Sequence, residues 1–532
     1  MRNKNDTDYS LYLVTDSTPA VLGANKDRDI CEIVEDALRG GVSIVQYRDK
    51  TADTGILVNT AKRLHEATKK YGVPLLINDR VDVAVAVGCE GVHVGQDDMD
   101  LASARKILGP DKIIGVSVSS KEELIAACSG EARADYLGIG TVFATSTKKD
   151  TKNIIGVHGL QEILQHLDRQ DPHALEHVKT VCIGGINTSN TSRVVWQSTT
   201  PEGKSVDGVA VVSAIMASPD PETAARQLKE LVRSPPAFAR HDVRDSIPPP
   251  HTHSYFARII TDVAQLKPLS HNMTNLVVQN FAANVALCVG ASPIMSNYGE
   301  EGKDLAKLGG SLVINMGTVT PEGLKNYIQA LGAYNEAGGP VVFDPVGAGA
   351  TEVRRAASKE ILGAGYIDVI KGNQSEILAC LPGNSQPQQR GVDSGSHELT
   401  PLEIGTAVSD LAKSRRNIVV MTGKTDYVTD GTCIFCVQNG HEYLGMVTGT
   451  GCCLGTTISA MIAVRREYSF EATIAGLLLY NIAAENAAAR GDVKGPGTFV
   501  PAFLDELYNL RDATVKGDTD WLNRAQIEIL RR

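Results

Sequence analysis

The chain has 532 residues, 42% of them hydrophobic and 21% charged, the balance of a folded protein with about two to four domains. Lys+Arg 52 against Asp+Glu 62 leaves a net charge of -10, so no general field draws it to nucleic acid or to an anionic membrane. Anionic ligands must be met by a few placed cations. The longest apolar run, near Ile474 to Ala484, is too short to span a bilayer, and Met1 to Asp6 lead into a strand-like run without an apolar signal core. The 10 scattered cysteines read as reduced thiols. These features predict a cytoplasmic protein with small-molecule partners, no nucleic acid and no membrane.

In residues 1–235, short apolar β-branched runs alternate with stretches of helical periodicity such as Asp29–Gly40 and Ile56–Tyr71. The runs are Leu11–Val14, Val42–Tyr47, Pro74–Ile77, Gly91–Val94, Lys112–Val116, Tyr136–Gly140, Lys179–Ile183 and Gly208–Val212. Eight strand-then-helix units predict a (β/α)8 TIM barrel, whose chemistry lies on the loops leaving the carboxyl ends of the strands.

The residues after each run are therefore the informative ones. Gln46, Arg48 and Lys50 share one face of an extended segment, with Tyr47 and Asp49 on the other; two cations and an amide suit a phosphate-bearing ligand. Asp79 follows the third run and Asp98 the fourth, close enough across neighbouring strands to share Mg2+ with phosphate oxygens. Ser117 follows the fifth run, and Thr145 to Lys148 follow the sixth. Gly184, Gly185, Val212 and Ser213 end the seventh and eighth, where backbone N–H groups commonly cradle phosphate.

Residues 236–254 include Pro248, Pro249 and Pro250 and lack apolar periodicity, which predicts a linker; His251 and His253 within it read as solvated loop residues. Residues 255–532 again alternate strand and helix, with strand candidates Pro293–Ser296, Leu312–Asn315, Val341–Asp344, Ile367–Ile370, Ile418–Met421 and Cys433–Val437. No P-loop motif occurs. Gly449, Thr450 and Gly451 precede a helical stretch starting at Cys452, which predicts an anion hole for a phosphoryl group in transit. The same field is expected to lower the Cys452 thiol pKa and make it a general base for an alcohol, with Cys453 packed away from the site. Cys433 and Cys436 form a CxxC that reads as strand core rather than a metal site.

Two resemblances carry the rest. YLVTD at Tyr12–Asp16, QYRDK at Gln46–Lys50, IND at Ile77–Asp79, GVHVGQDD at Gly91–Asp98, TSTKKD at Thr145–Asp150 and GGIN at Gly184–Asn187 together resemble thiamine phosphate synthase. That family joins a hydroxymethylpyrimidine diphosphate to a thiazole phosphate and releases pyrophosphate. The resemblance implies that Gln46, Tyr47, Arg48, Asp49, Lys50, Asn78, Ser117 and Lys148 bind the pyrimidine diphosphate, with Arg48 and Lys148 catalytic. It further implies that Asp79 and Asp98 hold Mg2+, and that Thr145, Thr147, Gly185, Val212 and Ser213 hold the thiazole phosphate. Ala144 stands where the family often has proline. The physical demand agrees: a departing diphosphate needs its charge neutralised, and no protein nucleophile is required.

SHNMTN at Ser270–Asn275, GASPIM at Gly290–Met295, INMGT at Ile314–Thr318, DPVGAGAT at Asp344–Thr351, KGNQSE at Lys371–Glu376, MTG at Met421–Gly423 and VTGTGC at Val447–Cys452 resemble hydroxyethylthiazole kinase, of the ribokinase-like α/β fold. That resemblance implies a thiazole-alcohol pocket at Asn275, Met295 and Gly449, and ATP contacts at Lys371, Asn373, Glu376 and Thr422. It implies Mg2+ organised by Asp344 with Glu376, Cys452 as the catalytic position, and a homo-oligomer that is a trimer or a multiple of one. Lys371 stands where the family commonly has arginine, keeping the charge without the bidentate fork. The two halves explain each other, since the kinase product is a synthase substrate. The alternatives are a hydroxymethylpyrimidine kinase in the second half, or one half acting as a non-catalytic scaffold.

Overall fold

The computed structural model describes residues 4–129, 132–145, 153–170, 178–239, 253–381 and 399–530. The chain forms two compact units, Met1–Pro236 and Ala237–Arg532. In the first, eight parallel strands close into a barrel: β1 (Leu11–Val14), β2 (Ile44–Tyr47), β3 (Leu75–Asn78), β4 (Gly91–Val94), β5 (Ile113–Val118), β6 (Tyr136–Ile139), β7 (Lys179–Ile183) and β8 (Gly208–Val211). Each falls on its expected run. Alternation along the strands divides their residues between two cores. Leu11, Leu13, Val45 and Leu75 pack outward against the helices, whereas Tyr12, Ile44, Leu76, Ile113, Tyr136 and Val181 fill the barrel.

The helices follow from local rules. In Ile30–Arg39 the side chain of Asp29 caps the N-terminus by accepting from the Cys31 N–H, and Ile33, Val34, Ala37 and Leu38 form the buried stripe. One strand glycine has a steric reason. A Cβ on Gly115 of β5 would sit inside the Tyr136 ring, so only a bare backbone lets that ring occupy the barrel interior.

The second unit is built on a nine-stranded sheet. Its strands are β9 (Leu269–Met273), β10 (Ser292–Ile294), β11 (Ser311–Asn315), β12 (Val341–Asp344), β13 (Val369–Asn373), β14 (Ile418–Thr422), β15 (Asp426–Thr429), β16 (Ile434–Val437) and β17 (Ile527–Leu530). The order is β10-β9-β11-β12-β13-β14-β15-β16-β17; pairing is parallel through β14 and antiparallel from there to β17. Helices cover both faces, as a parallel sheet buried on two sides requires. The helix Ser469–Ala489, which holds the longest apolar run, is buried along most of its length. No helix among the described residues is long and apolar enough to cross a membrane.

Three strands, β9, β15 and β17, have no counterpart among the expected runs. Strand β9 is polar yet buried: Ser270 bonds Ser459 at 3.1 Å, and Thr456 donates to Asn272 at 2.7 Å, both partners lying on the helix Thr450–Val464. The ends of the expected linker are also ordered. Phe238 stacks on Tyr366 with centroids 4.3 Å apart, and His253, expected in a loop, opens the helix Pro-free from His253 to Leu266; residues 240–252 lie outside the described residues.

Overpacking the barrel should therefore be felt locally. Gly115→Ala is expected to destabilise the first unit by about 3 kcal/mol, read as an earlier thermal transition, with the second unit's transition unmoved. Equal melting of variant and parent would contradict the steric role of Gly115.

Candidate active sites

At the carboxyl end of the barrel, the loop after β2 presents the expected cations, each held by an acid. The Arg48 guanidinium pairs with Asp16 at 2.6 Å, and the Arg48 N–H donates to Thr15 Oγ1 at 3.0 Å. Lys50, 56% exposed, pairs with Asp79 at 2.8 Å. Asp79 itself adopts φ 60°, a left-handed conformation that non-glycine residues rarely hold, with its N–H on the His93 carbonyl at 2.8 Å. This strained residue faces Asp98. Burial and a hydrogen bond to Asp79 raise the Asp98 carboxyl above the usual carboxylate range, while its Oδ2 accepts from the Gly95 N–H at 2.8 Å. Two carboxylates and an ammonium thus meet at one point of the mouth.

Gln46 points into the interior and donates to Tyr12 Oη at 2.8 Å; Ser117 Oγ lies 2.9 Å from His93 Nε2. Asn78 ends β3 opposite His93 of β4. On the far side, Gly184 and Gly185 both have positive φ, and a Cβ on Gly185 would come within 2.7 Å of Phe143 and 2.9 Å of the Ala144 carbonyl. Glycine is what lets the loop after β7 close on the segment leading to Thr145. Val212 and Ser213 open the short helix Ser213–Met216 after β8. Thr147 and Lys148 lie outside the described residues.

The side chains of two further residues expected at the ligand make contacts within the protein. Tyr47 is 3% exposed and packs in the outer core against the helices, because alternation turns it away from its neighbour Gln46. Asp49 accepts from Ser17 Oγ at 2.7 Å, from the Thr51 N–H at 2.9 Å and from the Ala52 N–H at 3.0 Å, so it shapes the loop that carries Arg48 and Lys50. The partner that sequence reasoning left without a role is Asp16, whose signal was its place in the YLVTD motif.

In the second unit, β9, β11, β12 and β13 end beside the N-terminus of the helix Thr450–Val464. Asn275 Nδ2 lies 3.0 Å from Asn315 Oδ1 and 3.6 Å from Cys452 Sγ. Asn315 in turn donates to Asp344 Oδ2 at 3.0 Å, which also accepts from Lys371 Nζ at 2.9 Å. Lys371 completes its coordination on the Gly451 carbonyl at 2.7 Å. Asp344 is 1% exposed, and its Oδ1 has no hydrogen-bond partner among the described residues. Burial alone would discharge Lys371, but the negative groups around it, Asp344 first and then Cys452 and Glu376, together outweigh burial and raise the ammonium pKa. Asn315, the hinge of this set, was not expected; INMGT contained it without showing that it would touch both Asn275 and Asp344.

Gly449, at φ 96°, caps the helix at the Cys452 end, where a Cβ would collide with Val278. Met295 packs at the margin of the same core, and Cys453 is fully buried within it. The expectation of a lowered Cys452 pKa is corrected: burial, then Asp344, push the thiol up to about 11, against Lys371. The helix dipole acts only in the first turn and is outweighed by desolvation and the nearby carboxylate.

Glu376 and Asn373 form a capping box. Glu376 accepts from the Gly347 N–H at 2.9 Å and the Asn373 N–H at 2.8 Å, while Asn373 Oδ1 accepts from the Glu376 N–H at 3.0 Å. Burial, then Asp344, raise Glu376 to about 7. These two residues therefore tie the DPVGAGAT loop to the helix after β13. Thr422 lies beside Asn373 in register, and the adjacent Gly423 N–H donates to Asp426 at 3.0 Å.

A thiol pushed to about 11 is almost wholly protonated at neutral pH in the ligand-free protein. Iodoacetamide labelling of the Cys452 peptide is thus expected to climb steadily from pH 8 towards pH 10. A plateau below pH 8 would mean that a thiolate is already present.

A model of the hydroxyethylthiazole kinase family matches residues 260–513, and one described as thiamine monophosphate synthase matches residues 11–215. The chain is 43% identical over 534 residues to a probable thiamine biosynthetic bifunctional enzyme of Schizosaccharomyces pombe, covering 99% of each chain. It is 38% identical to the thiamine biosynthetic bifunctional enzyme of Saccharomyces cerevisiae, covering 95% of this chain and 96% of that one. A hydroxyethylthiazole kinase of Thermoanaerobacter sp. is 42% identical over 253 residues, which cover 47% of this chain and 94% of that one.

Proposed function

The chain belongs to the family of thiamine biosynthetic bifunctional enzymes, and from that membership we propose how its two sites work. It has thiamine phosphate synthase and hydroxyethylthiazole kinase activities, with ATP as the kinase co-substrate. The match of the second half to a thiazole kinase family sets aside both the pyrimidine kinase and the scaffold alternatives. The division of labour follows the two halves of the sequence: residues 1–235 for synthesis, 255–532 for phosphorylation, with 236–254 between them.

At the barrel mouth, Arg48 and Lys50 face the diphosphate of the pyrimidine substrate. The observation that carries this reading is the Asp79–Asp98 pair, whose like charges oppose each other at an open mouth. Mg2+ fits that donor set; Asp79 and Asp98 would hold it, and it would supply charge to neutralise the diphosphate. Arg48 is held in place by Asp16, so little ordering remains when the substrate arrives. As the C–O bond breaks, these cations, with Lys148, stabilise the departing pyrophosphate while the electron-rich pyrimidine carries the methylene cation. Gly185, Val212, Ser213, Thr145 and Thr147 hold the thiazole phosphate whose ring nitrogen attacks.

In the kinase, the alcohol lies among Asn275, Met295 and Gly449, within reach of Cys452. Phosphoryl transfer passes through a loose transition state: the alcohol oxygen bonds the γ-phosphorus as its bond to ADP breaks, and the alcohol proton passes late to an oxygen of the transferred phosphoryl group. A protonated thiol therefore orients the alcohol, and Asn275 fixes the thiol. Lys371 and the first-turn N–H groups of the helix Thr450–Val464 stabilise the phosphoryl in transit. Mg2+ fits Asp344, whose buried Oδ1 is without a partner among the described residues; Asp344 would hold it, and it would supply charge to the nucleotide phosphates. Thr422 and Asn373 border the nucleotide, and Glu376 keeps the adjoining loop in shape.

The kinase works as a trimer or a multiple of one. Support comes from exposed apolar residues flanking the alcohol pocket in sequence: Leu276 69%, Val277 74%, Tyr298 55% and Met446 57% exposed. Its place is the cytoplasm.

Separate assays test the assignments. Asp98→Ala is expected to lower pyrophosphate release about a hundredfold or more, with thiazole phosphorylation within twofold. Asp344→Ala should do the reverse, still forming thiamine phosphate when thiazole phosphate is supplied. Loss of both activities in either folded variant would refute independent sites. Sedimentation should give a trimer or its multiple for the parent and smaller species for Val277→Asp; a fully active monomeric parent refutes the assembly.

A further inference from the structure

The barrel interior contains a polar chain that the reaction described above does not use. Gln46 Nε2 lies 2.8 Å from Tyr12 Oη, Tyr12 Oη 2.7 Å from Tyr136 Oη, Tyr136 Oη 2.7 Å from His93 Nδ1, and His93 Nε2 2.9 Å from Ser117 Oγ. The five side chains come from β2, β1, β6, β4 and β5. Two strand glycines make room for it. Gly115 admits the Tyr136 ring, and a Cβ on Gly138 would lie 3.0 Å from His93 Cε1. Tyr12 is 1% and Tyr136 0% exposed, so the two bonds that Tyr12 makes lie away from water, and an unpaired phenol there would be costly; the two bonds of His93 are half-buried, towards the mouth.

The chain has a direction. The Gln46 amide N–H can only donate, so the Tyr12 oxygen accepts and the single Tyr12 hydroxyl hydrogen passes to Tyr136. Burial raises both phenol pKa values, so both keep a hydrogen to give. Tyr136 then donates to His93 Nδ1, which leaves the ring proton on Nε2 and directs it to Ser117 Oγ. Ser117, having accepted, has its own hydrogen free for the mouth. The far end selects the same direction, because a diphosphate offers only acceptors and needs a donor from Ser117. Were the Gln46 amide reversed, every bond would reverse and Ser117 would present lone pairs to an anion.

We infer that Tyr12, Tyr136 and His93 are positioning residues that couple the two ends of the pyrimidine diphosphate subsite, holding His93 as the Nε2–H tautomer and Ser117 as a donor. The inference rests on the assignment of Gln46 and Ser117 to that substrate. Docking a diphosphate at Ser117 fixes which way the Gln46 amide faces, and the reverse holds equally. An impostor that fails to engage one end therefore meets the wrong polarity at the other.

The test uses the full chain. In a long-range 1H–15N spectrum, the His93 signal, identified by its absence in His93→Gln, should show the Nε2–H tautomer and lose that pattern in Tyr136→Phe. The KM for the pyrimidine diphosphate should rise about tenfold in Tyr136→Phe, with the KM for thiazole phosphate within twofold, which also reports a folded barrel. Tyr12→Phe serves as the second variant and should move the same KM. An Nδ1–H tautomer in the parent overturns the inference, as does an unchanged pyrimidine KM in a folded tyrosine variant. Failure of the underlying assignment is distinguishable: Ser117→Ala and Gln46→Ala would both leave condensation untouched, and the inference would fall with it whatever the tautomer.

Discussion

A phosphate group leaves water only where fixed positive charge or aimed N–H groups replace its hydration, and a chain with a net charge of -10 has no surplus of cations to spread about. Three candidate site cations among the described residues each have their own acid. Arg48 is held by Asp16, Lys50 by Asp79 and Lys371 by Asp344. The pairing keeps the cations extended and correctly aimed while the sites wait. It also means that a ligand must offer enough charge to share them, which favours di- and triphosphates over singly charged competitors. The buried Lys371–Asp344 pair is the costliest of the three in desolvation, and it lies beside the N-terminus of the helix Thr450–Val464.

Both scaffolds deliver these pairs by the same device. Parallel strands end together, so residues distant in sequence arrive side by side at one edge of a sheet or one mouth of a barrel. In the barrel the edge is circular, and four consecutive strands bring Asp16, Arg48, Asp79 and Asp98 round one arc. In the open sheet it is linear, and Asn275, Asn315, Asp344 and Lys371 form a row in which each touches the next. Small residues then decide how closely the loops approach, as Gly185 and Gly449 show.

How much of this was legible depended on whether the determining contact was local. All eight barrel strands lay on the expected runs, because a strand covered on its outer face and packed within reads as a continuous apolar segment. Strand β9 was missed for the opposite reason: Ser270, His271 and Asn272 are polar, and only their partners Ser459, Ser296 and Thr456 on other elements make them burial-compatible. The short antiparallel strands β15 and β17 lack a run long enough to stand out. The barrel cations could be anticipated from alternation along β2, which equally explains why Tyr47 faces the helices. The thiol is the instructive error. A helix start is visible in sequence and argued for a low pKa, but Asp344, which opposes it, arrives from a strand more than a hundred residues away.

Asp79 carries a further implication. Its backbone lies at φ 60°, where glycine would rest without penalty and an aspartate costs about 1 kcal/mol. Mutational drift towards comfort would leave a firmer barrel mouth without the charge that pairs with Lys50. Any programme that hardens this protein against heat by relieving backbone discomfort would select that position early, and would trade away the carboxylate that holds Lys50.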